Sequence, residues 1–162
     1  MNINEWHDFF IATAGSAAAL TGLIFVGVSI NITKILASRK LPDRALASLI
    51  LLLNILIVSV LILIPKQTYF VIGVENFFLA ITVYIISVVN DIGIYKNTEA
   101  AYQKPYIMHI VLNQLAVLPY LIAAIIILSG SENGIYWIVP GITFSFIKAV
   151  LDAWVLLVEI NR

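Results

Sequence analysis

The segment Ile135–Ile160, IYWIVPGITFSFIKAVLDAWVLLVEI, decides the fold of this chain. Its length and apolar character are typical of a transmembrane α-helix, which needs about 20 predominantly apolar residues. Five of its residues recur at helical spacing and lie within roughly 60° of one another at about 100° per residue. They are Gly141, Ser145, Lys148, Asp152 and Glu159. The segment therefore predicts a polar stripe along one face of a membrane-spanning helix.

Two charges of this stripe are predicted to lie deep in the membrane. Counted from Trp137 at the interface, Lys148 lies about 16 Å and Asp152 about 22 Å along the helix. The hydrocarbon core is about 30 Å thick, so both charges fall inside it. Such charges are costly and normally face a helix-bundle interior, a partner or water. The spacing of four residues also permits a structural ion pair, and both interpretations stay open.

The composition indicates a membrane protein. The chain has 162 residues, of which 62% are hydrophobic and only 11% charged, whereas a soluble domain is about one quarter charged. Nine basic residues balance nine acidic ones, which argues against a nucleic-acid partner. The chain has no cysteine, which excludes disulfides, thiol catalysis and cysteine-ligated zinc.

Five apolar segments are long enough to span a bilayer. They are Phe9–Thr33, Arg44–Ile64, Tyr69–Tyr95, Ile107–Ser129 and Ile135–Ile160. We therefore predict an all-α, polytopic transmembrane helical bundle that forms a single integral membrane domain over residues 1–162. If Tyr69–Tyr95, which Glu75 interrupts, were re-entrant, the chain would have four spans. The acidic N-terminus lacks the basic start of a signal peptide, so the first span should be retained.

The basic residues predict the orientation. With five spans, seven of them fall on one side: Lys34, Arg39, Lys40, Arg44, Lys96, Lys104 and Arg162. Only Lys66 falls on the other side. The positive-inside rule then places the N-terminus outside and the C-terminus in the cytoplasm of a bacterial cell, in its inner membrane.

Three further spans carry polar candidates. Asn54 lies near the middle of the second span, where it either makes an interhelical hydrogen bond or faces Lys148. Glu75 of the third span either reaches back to the outer interface or forms a buried cation or proton site. Asn113 lies in the cytoplasmic half of the fourth span. Asp91 is predicted to point away from the face of Glu75, near the cytoplasmic boundary.

The first span has a face of small residues, namely Gly15, Ala19, Gly22 and Ser29. Small residues let helix backbones approach closely in a membrane. This face predicts either packing within the chain or an oligomer interface.

Catalytic motifs and clustered metal ligands are absent from the sequence. There is no nucleophile elbow, zinc-protease helix or phosphate-binding glycine loop. The two histidines, His7 and His109, fall on opposite sides of the membrane in this topology, so no metal site is predicted. We expect no cofactor and no enzymatic activity. An intramembrane enzyme would have to use Glu75 or Asp152 on a lipid-like substrate.

Two stretches carry a resemblance to a known group of proteins. They are Trp6–Phe10 with the following small-residue run Ala14–Gly22, and the ending Ala153–Ile160. Together with Arg44-Ala45 and Pro65-Lys66-Gln67, they resemble small uncharacterised bacterial polytopic inner-membrane proteins, some of which carry the label "modulator of FtsH protease". The resemblance implies a regulatory membrane partner and assigns no catalytic residue.

Two functional hypotheses follow. The first is an oligomeric, ion-permeable channel-like assembly lined by Ser145, Lys148 and Asp152, with help from Asn54 and Asn113. The second is a non-enzymatic interaction module that regulates a membrane protein such as a protease. Both place the chain in the lipid bilayer, the first as a homo-oligomer and the second with a membrane-protein partner.

Overall fold

The computed structural model describes residues 6–37, 41–96 and 103–160. These ranges contain helices and turns and no β-strand. The helices are α1 (His7–Ile30), α2 (Ile32–Ala37), α3 (Leu41–Ile62), α4 (Tyr69–Lys96), α5 (Gln103–Leu128) and α6 (Gly134–Ile160). All except α2 are long and apolar enough to cross a membrane. The predicted all-α class with five spans is confirmed, and the chain has the helices of a multi-pass integral membrane protein.

The third span is one uninterrupted helix. α4 runs from Tyr69 to Lys96 without a break at Glu75, so the re-entrant alternative does not describe this segment. The loop before it is short because Lys66 adopts a left-handed backbone conformation, with φ of 63°. The hydroxyl of Thr68 then accepts a hydrogen bond from the Val71 amide and caps the first turn of α4.

The ends of the first two spans differ from the prediction. The first predicted span ended at Thr33, but α1 ends at Ile30 and a separate short helix follows. Asn31 causes the break, because its side-chain amide donates to the Gly27 carbonyl and its backbone amide to the Val28 carbonyl. α3 begins at Leu41 rather than Arg44, since Pro42 is well suited to a first helical turn. Arg39, Lys40 and Arg162, which support the predicted orientation, lie outside the described residues.

The chain divides into two compact units. Unit 1 comprises Met1–Pro65 and Ser145–Arg162, and unit 2 comprises Lys66–Phe144. The division falls inside α6, so the first part of this helix belongs to unit 2 and the remainder to unit 1.

In unit 1, α1 packs on α3. Phe10 and Ala17 of α1 are fully buried, and Thr13 and Ser59 share a hydrogen bond of 2.9 Å between their hydroxyls. Helices in lipid associate through close packing and such polar contacts, because the surrounding tails are as apolar as the side chains.

A second apolar cluster of unit 1 joins three helices. It consists of Ile35, Leu41, Ala45 and Leu156, from α2, α3 and α6. The start of α3 and the end of α6 therefore lie at the same level, and the two helices run in opposite directions from there.

In unit 2, α4 and α5 are antiparallel neighbours. A Cβ atom on Gly73 of α4 would lie 3.1 Å from the side chains of Ile127 and Leu128 on α5. Fourteen residues further along α4, Ser87 contacts Asn113, which precedes Ile127 by the same number of residues on α5. The two contacts fix the register of this helix pair.

The beginning of α6 packs tightly on α5. A Cβ on Gly134 would lie 2.7 Å from the Ala123 carbonyl oxygen, and one on Gly141 would lie 3.0 Å from the ring of Tyr120. Glycine at both positions lets the backbones approach. Gly130, with φ of +86°, ends α5 in the left-handed conformation common after helices. The Tyr69 hydroxyl donates a hydrogen bond to the carboxylate of Glu132 in the same turn.

Candidate functional site

Lys148 and Asp152 form a buried ion pair on one turn of α6. The Lys148 ammonium donates a hydrogen bond to Oδ2 of Asp152. Lys148 is 2% exposed and Asp152 3% exposed, although charged side chains are almost never fully buried unless they are paired. The pairing allowed by their spacing is therefore formed, and both charges lie inside the protein rather than toward lipid.

Ser145 extends this polar face by one turn toward the start of α6. Its side chain is completely buried. With Lys148 and Asp152 it makes three polar residues within about two helical turns, all in unit 1. The side chain of Glu159, the last residue of the predicted stripe, lies outside the described residues.

Asn54 of α3 belongs to the same unit and lies at the same level as Lys148. Measured from the cluster of Ala45 and Leu156, Asn54 is about 14 Å along α3 and Lys148 about 12 Å back along α6. The Asn54 side chain is 2% exposed. Among the described residues, neither its Oδ1 nor its Nδ2 has a hydrogen-bond partner.

This arrangement differs from both predictions for Asn54. Its amide makes no hydrogen bond to another helix within the described part of the chain, and none to Lys148. A buried polar group without a partner typically costs about 1–3 kcal/mol. Asn54 is thus a donor and an acceptor held in an apolar surrounding, at the level of the ion pair.

Glu75 lies in unit 2, in the second turn of α4. Its Oε2 accepts a hydrogen bond of 2.9 Å from Nε2 of Gln67, in the loop before the helix. The side chain is half-buried. This contact ties Glu75 to the end of the span, which is the first of the two predicted arrangements, rather than to a deep cation or proton site.

Asn113 joins a polar cluster between α4 and α5 of unit 2. Its Nδ2 lies 2.7 Å from Oγ of Ser87 and 3.0 Å from Oδ2 of Asp91. Nε2 of Gln114 approaches the same Asp91 oxygen at 3.4 Å. Asp91 and Asn113 are 4% and 6% exposed. The predicted helper of Lys148 therefore has its hydrogen bonds to residues of its own unit.

Sequence reasoning missed Asp91 as a member of a polar site. The signal was present: Ser87 and Asp91 are four residues apart, so they share one face of α4. Asn76 belongs to this buried face as well and was also missed. Its Nδ2 donates to the Ile72 carbonyl at 2.9 Å, while its Oδ1 has no hydrogen-bond partner among the described residues.

The small-residue face of α1 is open. Gly15, Ala19, Gly22 and Ser29 are all exposed, and a Cβ added at Gly15 or Gly22 would meet nothing within 4 Å. At about 100° per residue this face points roughly opposite to the one that carries Phe10, Thr13 and Ala17. The face is therefore not used for packing among the described residues, and an oligomer interface stays a prediction.

No group of three or more histidine, cysteine, aspartate or glutamate side chains in the described ranges could hold a metal ion. The chain also matches no family model, no curated protein and no solved structure. The argument for function therefore rests on the geometry of the buried polar groups.

Proposed function

We propose that this chain is an ion-permeable membrane protein of the bacterial inner membrane that works as a homo-oligomer and has no enzymatic activity. The observation that carries the proposal is the Lys148–Asp152 pair, two charges almost completely buried in the middle of a membrane-spanning helix. The predicted orientation, with the N-terminus outside and the C-terminus in the cytoplasm, belongs to the same proposal.

Stability alone gives little reason for such a pair. Replacement of a buried ion pair by apolar residues of similar volume is often neutral or stabilising by about 1–4 kcal/mol. Ionisable residues inside a membrane typically mark ion pathways and proton relays. A buried pair in a chain made of membrane helices and short loops favours a role in moving charge.

The pair can act as an exchangeable contact. Asp152 attracts a cation or binds a proton, and Lys148 competes with that ion for the same carboxylate. While the two side chains are joined, the pair is neutral and the carboxylate is occupied. An ion that arrives at Asp152 displaces the ammonium, so Lys148 controls how often the site is available.

Asn54 and Ser145 support this assignment. Asn54 offers an amide oxygen and an amide N–H at the level of Lys148 that make no hydrogen bonds within the described residues. Ser145 adds a buried hydroxyl one turn away. A permeating ion loses part of its water shell, and polar atoms of this kind replace it.

Ion flux through purified protein in sealed liposomes tests the proposal. We expect flux from the wild type and a change in its ion selectivity or pH dependence in Asp152→Asn. Lys148→Met should raise the flux of cations at positive charge density lost from the site. Asp43→Asn removes an exposed carboxylate from α3 of the same unit and should behave as wild type. Absence of flux at any pH or potential, or flux that neither substitution alters, would refute the proposal.

The open face of α1 favours a second candidate, an interaction module that regulates a membrane protein such as a protease. Gly15 and Gly22 leave enough room for another helix to approach closely. In this candidate the ion pair has only a structural role, and the resemblance to modulators of FtsH protease points the same way.

The second candidate predicts no intrinsic flux and a partner that co-purifies in a fixed ratio. Gly22→Leu would fill the open face and should release that partner, while Leu23→Ala, at an exposed site beside it, should not. Flux from the isolated chain together with the absence of a stoichiometric partner would favour the ion-permeable assembly.

A further inference from the structure

The cluster between α4 and α5 is a second buried polar site, separate from the Lys148–Asp152 pair. It consists of Ser87, Asp91, Asn113 and Gln114, all in unit 2. The hydrogen bonds within it span 2.7–3.4 Å and converge on Oδ2 of Asp91 and on Nδ2 of Asn113. Four polar side chains from two facing helices thus meet around one carboxylate.

These side chains provide a set of oxygen ligands. Asp91 contributes a carboxylate, Ser87 a hydroxyl, and Asn113 and Gln114 each an amide oxygen. The two amides point N–H groups at the carboxylate, and a half-turn of each amide presents its oxygen instead. Carboxylate, carbonyl and hydroxyl oxygens are the ligands that hard cations prefer.

The charge of the cluster selects the ion. Asp91 supplies one negative charge, and the other three side chains are neutral. A monovalent cation makes the occupied site neutral, whereas a divalent cation leaves an excess positive charge in a low-dielectric surrounding, which is strongly unfavourable.

The separations favour a small ion. Oxygens about 2.4 Å from a cation and at right angles to each other lie roughly 3.4 Å apart, as in sites for Ca²⁺, which has nearly the radius of Na⁺. The polar atoms of the cluster are 2.7–3.4 Å apart. The larger K⁺ would have to push them further apart.

We propose that Ser87, Asp91, Asn113 and Gln114 bind a monovalent alkali-metal cation of Na⁺ size between α4 and α5. Bound there, the cation joins the two helices through ligands from both. The site does not depend on the proposed ion path through Lys148 and Asp152, because binding can be measured without any flux.

The test is thermal melting of the purified full chain in detergent, titrated with NaCl, KCl or choline chloride at constant ionic strength. A pH of 8, above the ordinary histidine pKa of about 6.5, keeps protonated His109, one turn before Asn113, from competing with the ion. We expect a saturable rise of the melting temperature with NaCl, a rise that needs at least tenfold more KCl, and none with choline chloride.

Two variants make the test specific. Asp91→Asn should abolish the response to NaCl, whereas Glu132→Gln, which removes a carboxylate from the α5–α6 turn of the same unit, should retain it. Asn113→Asp adds a second negative charge, so it should shift the preference toward Ca²⁺ by at least tenfold. This last variant keeps the test decisive if Asp91→Asn does not fold.

Three outcomes would overturn the proposal. They are equal responses to NaCl and choline chloride, a response to NaCl that survives in a folded Asp91→Asn, and an Asn113→Asp variant without any gain for Ca²⁺. Stabilisation that follows pH but not NaCl would assign a proton to Asp91 instead, which also contradicts the proposal.

Discussion

Breaking the Lys148–Asp152 pair from one side should destabilise the protein strongly. Lys148→Met keeps the length and the apolar stem of the side chain but removes the ammonium that hydrogen-bonds to Asp152. The carboxylate, 3% exposed, is then left buried without this partner. Removal of one member of a buried ion pair costs about 3–5 kcal/mol, and we expect a loss of this size in the free energy of unfolding.

Removing both charges should restore most of this loss. In Lys148→Met combined with Asp152→Leu, no uncompensated charge remains, and the two apolar side chains occupy similar volumes. We expect the double variant to lie within about 1 kcal/mol of the wild type or above it. The difference between the double variant and the sum of the single ones measures the coupling of the pair.

The assay is unfolding in mixed micelles with increasing SDS, followed by circular dichroism. Asp43→Asn, an exposed carboxylate of the same unit, is the control and should stay within about 0.5 kcal/mol of the wild type. If Lys148→Met were as stable as this control, the view of Asp152 as a buried charge that depends on Lys148 would be refuted. The folded double variant then separates the two roles of the pair: if it still conducts ions like the wild type, the pair is structural.

The remaining predictions concern packing and hydrogen bonds, and the same unfolding assay measures them. Gly134→Ala should cost about 1–3 kcal/mol, because its Cβ would lie 2.5 Å from a side-chain atom of α5; Gly22→Ala, with open space around it, should stay within about 1 kcal/mol of the wild type and on the stabilising side. Thr13→Val removes the hydrogen bond to Ser59 and should cost about 0.6–1.7 kcal/mol, and an unchanged stability would contradict that bond. Asn54→Leu should stabilise the protein by about 1–2 kcal/mol, and a loss of stability would mean that the amide is satisfied.

The helices could be predicted from the sequence because the membrane imposes a simple rule. A span needs a long apolar run, and the runs of this chain are separated by short polar breaks. Local chemistry set the ends that were predicted less well. Asn31 ends α1 by binding its own helix, and Pro42 starts α3 ahead of Arg44. Neither effect changes mean hydropathy over a span.

Contacts between helices were harder to predict, because they depend on register. The sequence placed Lys148 and Asp152 together since both lie on one helix. It did not place Asp91 beside Asn113, since that contact requires the alignment of α4 and α5 that the close approach at Gly73 fixes. The small residues of α1 likewise indicated a face suited to packing but not which neighbour it meets.

Asn54 distinguishes the two proposed functions better than the open face of α1 does. Exposed glycines in lipid leave no polar side chain unsatisfied, so that face can stay uncovered at little cost. The Asn54 amide is different, because it lies buried at the level of Lys148 and makes no hydrogen bond within the described chain. If Asn54→Leu stabilises the protein and abolishes its flux, the wild type carries a destabilising group that ion passage needs. If the variant is more stable and nothing else changes, the amide has no part in conduction, and the interaction module becomes the better explanation of the chain.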